Sequence, residues 1–187
     1  GYDQHSLGGW DAKTGKRLWQ LVPPSTGDFN VPTPVAFEGG IIVGTENNGT
    51  RLYHFDGSGG IIPEPAGENA DLSPDTTSSV IAGGRVFGVH LGLHCLDVKN
   101  ALKPVWQNKN EDIGDYASLI ADDERVLVTS VHGELLLLDA KADSCRIISR
   151  LKIFDDDVEV YSHPALVGSR LFVRGGSSLV CLDLSPD

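Results

Sequence analysis

A five-residue pattern, leucine-x-x-apolar-aspartate, occurs five times along the 187-residue chain. Its copies occupy residues 7–11, 52–56, 93–97, 135–139 and 179–183. The closing aspartates, Asp11, Asp56, Asp97, Asp139 and Asp183, lie 45, 41, 42 and 44 residues apart. A period in the low forties that persists through a whole chain is typical of proteins built by repeating one small supersecondary unit. The sequence therefore predicts a repeat architecture.

The residues around each aspartate predict the unit that is repeated. Before Asp56, a strand-like run at 33–37 is followed by a glycine turn, a second run at 41–43 and the run that ends at the aspartate. After most aspartates a polar turn leads to a fourth apolar run, as at 17–22, 103–107 and 146–153. Four short strands joined by tight turns, repeated about every 40 residues, predict the blade of a β-propeller. The expected fold is all-β, with four-stranded antiparallel blades.

The blades are expected to divide the chain into five parts. Residues 1–29 form the end of a preceding blade, three complete blades follow at 30–74, 75–114 and 115–159, and 160–187 form an incomplete last blade. An open half-ring would leave apolar faces and strand edges uncovered. The preferred interpretation is a C-terminal portion of a longer propeller. A dimer of two half-rings is the second alternative, and a closed four-bladed ring is the third.

The repeated aspartates are predicted to have a structural role. In the turn at 11–16, the carboxylate of Asp11 can accept hydrogen bonds from backbone N–H groups just downstream. Gly15 then supplies the positive φ angle that closes the turn. The turns after Asp56 and Asp139 are looser versions of the same arrangement.

One segment carries a resemblance to a known family. The sequence GWDAKTGKRLW at residues 9–19 resembles the tryptophan-docking repeat of pyrroloquinoline-quinone-type (quinoprotein-like) propellers, and residues 95–100 followed by Trp106 form a degenerate second copy. The resemblance implies that Trp19, Trp106 and the repeat aspartates hold neighbouring blades together. It also implies a complete ring of seven or eight blades, of which this chain supplies about four.

Composition limits the classes of function. The net charge of −11 disfavours a nucleic-acid surface, which needs clustered lysine and arginine. No stretch approaches the roughly 18 apolar residues that span a bilayer. Among the three cysteines, Cys95 and Cys181 occupy the same repeat position, where small buried core residues are expected.

Two groups of loops at one end of the blades are candidate binding sites. The loops between blades are acidic, which predicts either docking of a basic partner or weak Ca²⁺ binding, although the alternating aspartate spacing of a calcium loop is missing. The acidic residues proposed for docking are Asp71, Asp112, Asp115, Asp155, Asp156 and Asp157. The loops between second and third strands are expected to converge on the propeller axis as a ligand site. Its candidate residues are Glu46, Asn47, Asn48, Arg51, His90, His132 and Arg174.

No metal site or catalytic residue is predicted. His90 and His94 have helical metal-ligand spacing but are expected on either side of a β-turn. The first functional hypothesis is a non-catalytic scaffold that binds a protein or a small ligand. It is similar to the quinoprotein-like branch that includes the lipoprotein subunit of the bacterial outer-membrane β-barrel assembly machine, and that resemblance implies a periplasmic or other extracytoplasmic location.

Two alternatives remain open at the level of sequence. One is part of a quinone-dependent dehydrogenase, whose PQQ and Ca²⁺ ligands and adjacent cysteines cannot be placed on this chain. The other is an extracytoplasmic sensor or ligand-binding propeller.

Overall fold

The computed structural model describes residues 1–109, 113–114, 116–155 and 158–185, and these residues form 17 β-strands. The strands are β1 Leu7–Trp10, β2 Arg17–Leu21, β3 Val35–Phe37, β4 Gly40–Thr45, β5 Gly49–His54, β6 Gly67–Asn69, β7 Val80–Ala82, β8 Arg85–Val89, β9 Leu93–Asp97, β10 Lys103–Asn108, β11 Ala117–Ala121, β12 Arg125–Ser130, β13 Glu134–Asp139, β14 Ile147–Lys152, β15 Ala165–Val167, β16 Arg170–Gly175 and β17 Ser178–Asp183.

The strands are arranged in five antiparallel sheets. The orders are β1-β2, β3-β4-β5-β6, β7-β8-β9-β10, β11-β12-β13-β14 and β15-β16-β17. Every strand pairs with its neighbour in sequence, as expected of blades built from consecutive hairpins. The all-β class and the four-stranded antiparallel blades predicted from the repeats are confirmed.

The three four-stranded sheets are packed on both of their faces, which explains why their strands read as nearly continuous apolar runs. Successive side chains of a strand point to opposite faces. Ile42 therefore packs in the core shared with the following sheet, whereas Val43 packs in the core shared with the preceding one. Similarly, Leu136 packs in the core shared with the preceding sheet, and Leu135 packs in the core shared with the following one. Four apolar clusters thus lie between successive sheets and hold the stack together.

The first strands of successive sheets are neighbours. β3 contacts β7 and β7 contacts β11, while the fourth strands β6 and β10 also contact each other. The first strands consequently line one side of the stack and the fourth strands line the other. This is the arrangement of blades around a propeller axis, with the first strands innermost.

Several first strands begin later than the sequence predicts. β3 begins at Val35 rather than at Thr33, and β15 begins at Ala165 rather than at His163. Pro34 and Pro164 directly precede these strands and have no N–H group to donate to a ladder. The complete blade expected at 30–74 does have a fourth strand, β6, but the sequence did not locate it because its residues, Gly-Glu-Asn, include no apolar run.

The last sheet differs from the three four-stranded sheets in its exposure. The leucine that opens each repeat pattern is 0% exposed at Leu7, 4% at Leu52, 0% at Leu93 and 5% at Leu135, but Leu179 is 68% exposed. Cys181 is also exposed, so the expectation that it is a buried core residue is wrong. The reason is that Leu179 and Cys181 lie on the face of β17 that points away from the preceding sheet, and within the described residues no further sheet covers that face.

Candidate functional site: the loop face

We use the term loop face for the end of the sheets that carries two kinds of connection. One kind links successive sheets, and the other links the second and third strands of a sheet. In the described residues these connections are 22–34, 46–48, 70–79, 90–92, 131–133 and 176–177, together with parts of 109–116 and 153–164. Because the strands are antiparallel and consecutive, both kinds of connection emerge at the same end.

Hydrogen bonds join the innermost parts of the loop face from sheet to sheet. The backbone N–H of Thr33 donates to Oγ of Ser78 at 2.9 Å, and the N–H of Ala117 donates to Oγ1 of Thr77 at 3.4 Å. The next junction is aromatic, since Tyr116 and Tyr161 pack edge to face with ring centroids 5.3 Å apart. The Tyr116 hydroxyl also donates to the Tyr161 carbonyl. These contacts bring the entrances of four first strands together at the axis side.

The two tyrosines were not singled out from the sequence, although the repeat contains the signal that could have found them. Each lies shortly before the first strand of its sheet, and they are 45 residues apart, close to one repeat period. Tyr161 is 59% exposed. The pair therefore presents an accessible aromatic surface at the axis side of the loop face.

The turn at 46–48 is fixed to the preceding inter-sheet loop. Both carboxylate oxygens of Asp28 accept hydrogen bonds, one from the backbone N–H of Asn47 at 2.7 Å and the other from the side-chain Nδ2 of Asn48 at 2.6 Å. Asn48 also exchanges two hydrogen bonds with the backbone of Ser25, at 2.8 and 2.9 Å. Asn47 and Asn48 are thus engaged in holding two loops together, and Glu46 precedes them in the same turn.

Arg51 does not lie in a loop, and this part of the prediction is wrong. It lies within β5 and is 3% exposed. Its guanidinium donates to the hydroxyl oxygens of Tyr2, Tyr53 and Thr45 at 3.0, 3.3 and 3.1 Å. The β4–β5 turn is shorter than expected, since Val43 pairs with Arg51 and Thr45 pairs directly with Gly49. Arg51 therefore points into the packed region between the first two sheets rather than towards a ligand.

Arg174 likewise lies in a strand, β16, where its side chain is exposed and its carbonyl accepts a hydrogen bond from Oγ of Ser162 at 2.8 Å. His90 and His132 do lie in second-to-third-strand connections. The structure places these residues at corresponding levels of three different sheets, and their convergence on one ligand stays a prediction.

His90 and His94 are not arranged as a metal pair. His94 is buried in β9, and its Nε2 lies 2.8 Å from the His90 carbonyl oxygen and 3.0 Å from Nε2 of Gln107. Burial lowers the pKa of His94 below its ordinary value. The His94 ring is therefore a neutral, hydrogen-bonded group inside its sheet.

Of the acidic residues proposed for docking, the structure describes two. Asp71 and Asp155 are exposed on inter-sheet connections of the loop face. Asp112, Asp115, Asp156 and Asp157 lie outside the described residues. Other acidic residues share this end of the sheets, namely Asp28, Glu46, Asp75 and Glu159.

The opposite end of the sheets has a different balance of charge. Its turns carry exposed basic residues, namely Lys13, Lys16, Lys99, Lys141 and Arg146. Three ion pairs lie there: Lys141–Glu124 at 2.8 Å, Arg146–Asp139 at 3.3 Å and Arg85–Asp143 at 2.7 Å. Three acidic side chains at that end are thus paired with cations, and exposed lysines lie beside them, so the two ends of the sheets differ in their balance of charge.

The repeat aspartates lie at this opposite end and close the turns as predicted. Oδ1 of Asp11 accepts hydrogen bonds from the N–H groups of Lys13 and Thr14 at 3.0 and 2.7 Å. The equivalent bond is 2.8 Å at Asp56, 3.0 Å at Asp97, 2.9 Å at Asp139 and 3.0 Å at Asp183. Hydrogen bonds to a carboxylate favour its ionised form, and they lower the pKa values of Asp56 and Asp183, chiefly through the hydroxyls of Ser58 and Ser185, and of Asp11, chiefly through the Thr14 N–H.

Both tryptophans named by the family resemblance contact a neighbouring sheet. Trp19 of β2 lies 5.7 Å from the Phe55 ring, which follows β5 in the next sheet. Trp106 of β10 packs edge to face on Phe87 at 5.9 Å, and its indole N–H donates to the carbonyl of Ala142, beyond β13 in the next sheet, at 3.2 Å. This is the geometry that blade docking requires. The contribution of these contacts to the free energy of unfolding is a prediction.

Among the residues that the structure describes, the donor groups of the loop face do not fit a resident Ca²⁺. A calcium site needs six to eight oxygen ligands that are free to face the ion. The best oxygen cluster is Asp28 with Asn47 and Asn48, and both Asp28 oxygens already accept hydrogen bonds there. Among the residues the structure describes, no group of three or more His, Cys, Asp or Glu side chains is placed to hold a metal ion.

The comparisons with known proteins give the fold a wider setting. No protein-family model matches the chain. No curated protein sequence matches it significantly. Solved structures do match it. BamB from Moraxella catarrhalis aligns with a TM-score of 0.63 at 18% identity, over 91% of this chain and 50% of that one.

Two further structures match more closely in shape. Hsv2 from Kluyveromyces lactis aligns with a TM-score of 0.69 at 13% identity, over 98% of this chain and 56% of that one. The computationally designed protein Ika8 aligns with a TM-score of 0.66 at 10% identity, over 96% of this chain and 53% of that one. The chain has the fold of a β-propeller. The propeller fold that the resemblance of residues 9–19 implies is confirmed.

The chain spans about half the length of these matched structures, at 50%, 56% and 53%. This share fits a portion of a larger propeller, as the preferred interpretation of the sequence expects. In the described residues there is no helix of the length and apolarity needed to cross a membrane.

Proposed function

We propose that this propeller segment is a non-catalytic scaffold that binds a protein partner through its loop face, and that the partner presents a basic surface. The likeness of fold to BamB supports a protein-binding role, and the resemblance of residues 9–19 to quinoprotein-like repeats supports an extracytoplasmic location. We propose no resident PQQ or Ca²⁺ in these residues.

The observation that carries the proposal is the separation of charge between the two ends of the sheets. Exposed acidic residues lie on two inter-sheet connections of the loop face, Asp71 on one and Asp155 with Glu159 on another. The exposed lysines of the turns lie at the other end, and three ion pairs there neutralise acidic side chains. A surface with one sign of charge steers an oppositely charged partner and raises its rate of association.

The loop face is also held in a fixed shape, which lowers the entropic cost of binding. Asp28 ties the turn at 46–48 to the neighbouring loop through two hydrogen bonds of 2.7 and 2.6 Å. The bonds at Thr33 and Ala117 join successive sheets at the axis side. A partner would meet a surface that is already ordered.

The test compares two variants that change the net charge equally. The loop-face variant is Asp71→Asn, Asp155→Asn and Glu159→Gln. The control variant is Glu38→Gln, Glu64→Gln and Asp123→Asn, whose exposed side chains lie in turns away from the loop face. The probe is a fluorescently labelled peptide of alternating lysine and glycine, and its binding is followed by anisotropy at low and at moderate salt.

We expect the loop-face variant to bind this peptide at least about fivefold more weakly at low salt, because about 1 kcal/mol of screened attraction is removed. The control variant should bind like the wild-type protein, and neither set of changes should alter the melting temperature. Equal losses in the two variants would show that only the net charge matters, and the proposal of a docking loop face would then be withdrawn.

A further inference from the structure

We infer that the tyrosine pair of the loop face, Tyr116 and Tyr161, is the recognition point for the guanidinium group of an arginine side chain on the protein partner. The contact is a cation–π interaction on the exposed Tyr161 ring, beside carboxylates of the same connection. This inference rests on the function proposed above, because it names the chemical group of the basic partner that the loop face selects.

The two tyrosines occupy one position of the repeat, where two other sheets have a different kind of residue. When the sheets are aligned by the pairing of their first three strands, Tyr116 and Tyr161 hold the same position as Thr33 and Thr76. Two sheets of the same architecture thus form with a threonine there. The repeat itself does not require an aromatic residue at this position, so packing of the fold does not explain the pair.

The Tyr161 ring is held on a fixed piece of backbone. Just before it, Val160 is 1% exposed, and its N–H donates to the Val131 carbonyl at 2.7 Å. Just after it, Oγ of Ser162 donates to a carbonyl of β16 at 2.8 Å. The Tyr116 hydroxyl donates to the carbonyl of Tyr161 itself. An aromatic residue anchored in this way loses little conformational entropy when a partner binds.

The pair is accessible and carries no cation of its own. Tyr161 is 59% exposed. Among the described residues no arginine or lysine lies over either ring, although the chain makes such contacts elsewhere. The Arg17 guanidinium lies 4.8 Å from the centroid of the Trp10 ring, and the Arg51 guanidinium lies 5.9 Å from that of Tyr53. The faces of the tyrosine pair are therefore open to a cation from a partner.

Carboxylates of the same connection favour a cation at this place. Glu159 lies two residues before Tyr161, Asp155 lies earlier in the same connection, and both are exposed. The exposed Arg174 adds a positive charge at this end, which the two carboxylates outnumber. Their negative charge adds to the attraction that the ring quadrupole exerts on a cation. A neutral sugar or an apolar side chain would gain nothing from these charges.

The aromatic rings favour arginine over lysine. A guanidinium group is planar and weakly hydrated, and it stacks on aromatic faces, whereas an ammonium group is compact and strongly hydrated. The acidic residues of the loop face attract the two side chains through the same charge. A preference for arginine that depends on the Tyr161 ring is therefore the property that identifies the site.

The test compares two fluorescently labelled peptides of equal length and charge, one of alternating arginine and glycine and the other of alternating lysine and glycine. Their binding to the 187-residue protein is followed by anisotropy at low salt. We expect the wild-type protein to bind the arginine peptide at least about threefold more tightly than the lysine peptide, as for a cation–π contact at an exposed site.

Three variants assign the preference to the Tyr161 ring. Tyr161→Leu keeps an apolar side chain but removes the aromatic face, so it should bind the arginine peptide at least about threefold more weakly, with a smaller loss for the lysine peptide. Tyr161→Phe keeps a ring and should retain the preference. The control Phe29→Leu removes an aromatic residue that is 71% exposed on another connection of the loop face, and it should also retain the preference. Because both residues are exposed, the melting temperature should not change.

Nuclear magnetic resonance locates the contact. In protein that contains isotope-labelled tyrosine, the ring signal of Tyr161 is assigned by its loss in Tyr161→Phe. We expect this signal to shift when the arginine peptide is added, whereas the signal of Tyr53, which is 2% exposed, should stay in place. An unchanged Tyr161 signal at saturating peptide would overturn the inference.

The same measurements separate this inference from the proposed docking face. If the loop-face variant binds both peptides more weakly but Tyr161→Leu keeps the wild-type preference, the docking face stands and the arginine site is refuted. If the loop-face variant binds both peptides like the wild-type protein while Tyr161→Leu loses the preference, the arginine site stands and docking by acidic loops is withdrawn. An equal loss of preference in Phe29→Leu would refute a defined site at the tyrosine pair.

Discussion

Replacing Trp106 by alanine is expected to destabilise the protein strongly. The Trp106 side chain is only 9% exposed and packs edge to face on Phe87 at 5.9 Å. The substitution removes roughly 150 Å² of apolar surface from the core, which at about 25 cal/mol per Å² is about 4 kcal/mol. It also removes the 3.2 Å hydrogen bond from the indole to the Ala142 carbonyl, which adds at most about 1 kcal/mol because that carbonyl still accepts from Arg85 at 2.7 Å.

The sum is about 5 kcal/mol, at the upper end of the range for tryptophan-to-alanine changes in cores. For a domain with a typical stability of about 5–15 kcal/mol, that is a large fraction of the total. The assay is urea unfolding followed by far-ultraviolet circular dichroism, with the free energy taken from the midpoint and slope.

Two further variants separate the contributions. Trp106→Phe keeps an aromatic ring against Phe87 but loses the N–H donor, so we expect a loss of about 1–2 kcal/mol. Trp19→Ala should cost less than Trp106→Ala, because Trp19 is only half-buried. A loss within about 0.5 kcal/mol for Trp106→Ala would show that this side chain does not hold the two sheets together, and the docking argument would be refuted.

Two other substitutions test the turns and the close packing of the first sheet. Gly9→Ala should lower the free energy of unfolding by about 1–3 kcal/mol, because its new Cβ would lie 2.3 Å from the Trp19 ring. The control Gly57→Ala meets no atom within 4 Å and should leave the stability nearly unchanged. Similar thermal melts for the two variants would contradict the close packing at Gly9. Backbone and hydroxyl donors lower the pKa of the Asp11 carboxylate in the folded protein. The ionised carboxylate therefore stabilises the fold above the unfolded pKa of about 4. This stabilisation is lost as the pH falls through the folded pKa. Asp11→Asn should therefore lose stability relative to the wild-type protein at pH 7 and lose progressively less as the pH is lowered to about 3 in urea unfolding, and a difference that does not change with pH would rule out the charge as its cause.

The repeat pattern predicted more of the fold than of the site, because the spacing of its apolar residues and aspartates follows directly from strand geometry. The apolar runs before Asp56, Asp97 and Asp139 became β5, β9 and β13, since side chains alternate between two buried faces and the chain must turn at each aspartate. A fourth strand was expected in the blade at 30–74, but the sequence did not locate β6, because backbone pairing with β5 forms it without any apolar residue. Local patterns cannot report such pairing.

The candidate site was predicted only at the level of which loops share an end. The sequence predicts that Arg51 lies in a loop. In the structure Thr45 pairs with Gly49, so the turn is short and Arg51 lies within β5, where it is 3% exposed. A shift of one residue pair in a hairpin decides whether a side chain meets solvent or core. The tyrosine pair at the axis side depends on two loops from different repeats, and only their packing shows that the rings touch.

The sequence by itself determined the repeat, the strand order within each sheet and the turns closed by aspartate, because all of these depend on neighbours a few residues apart. Tertiary structure alone decided which equivalent residues are buried. Leu93 and Leu179 hold the same repeat position, yet they are 0% and 68% exposed. Cys95 is buried, which raises its pKa to about 12, while Cys181 is exposed. The difference lies in the strand and sheet that pack beside β9 and not beside β17, and burial is a property of those neighbours rather than of the residue itself.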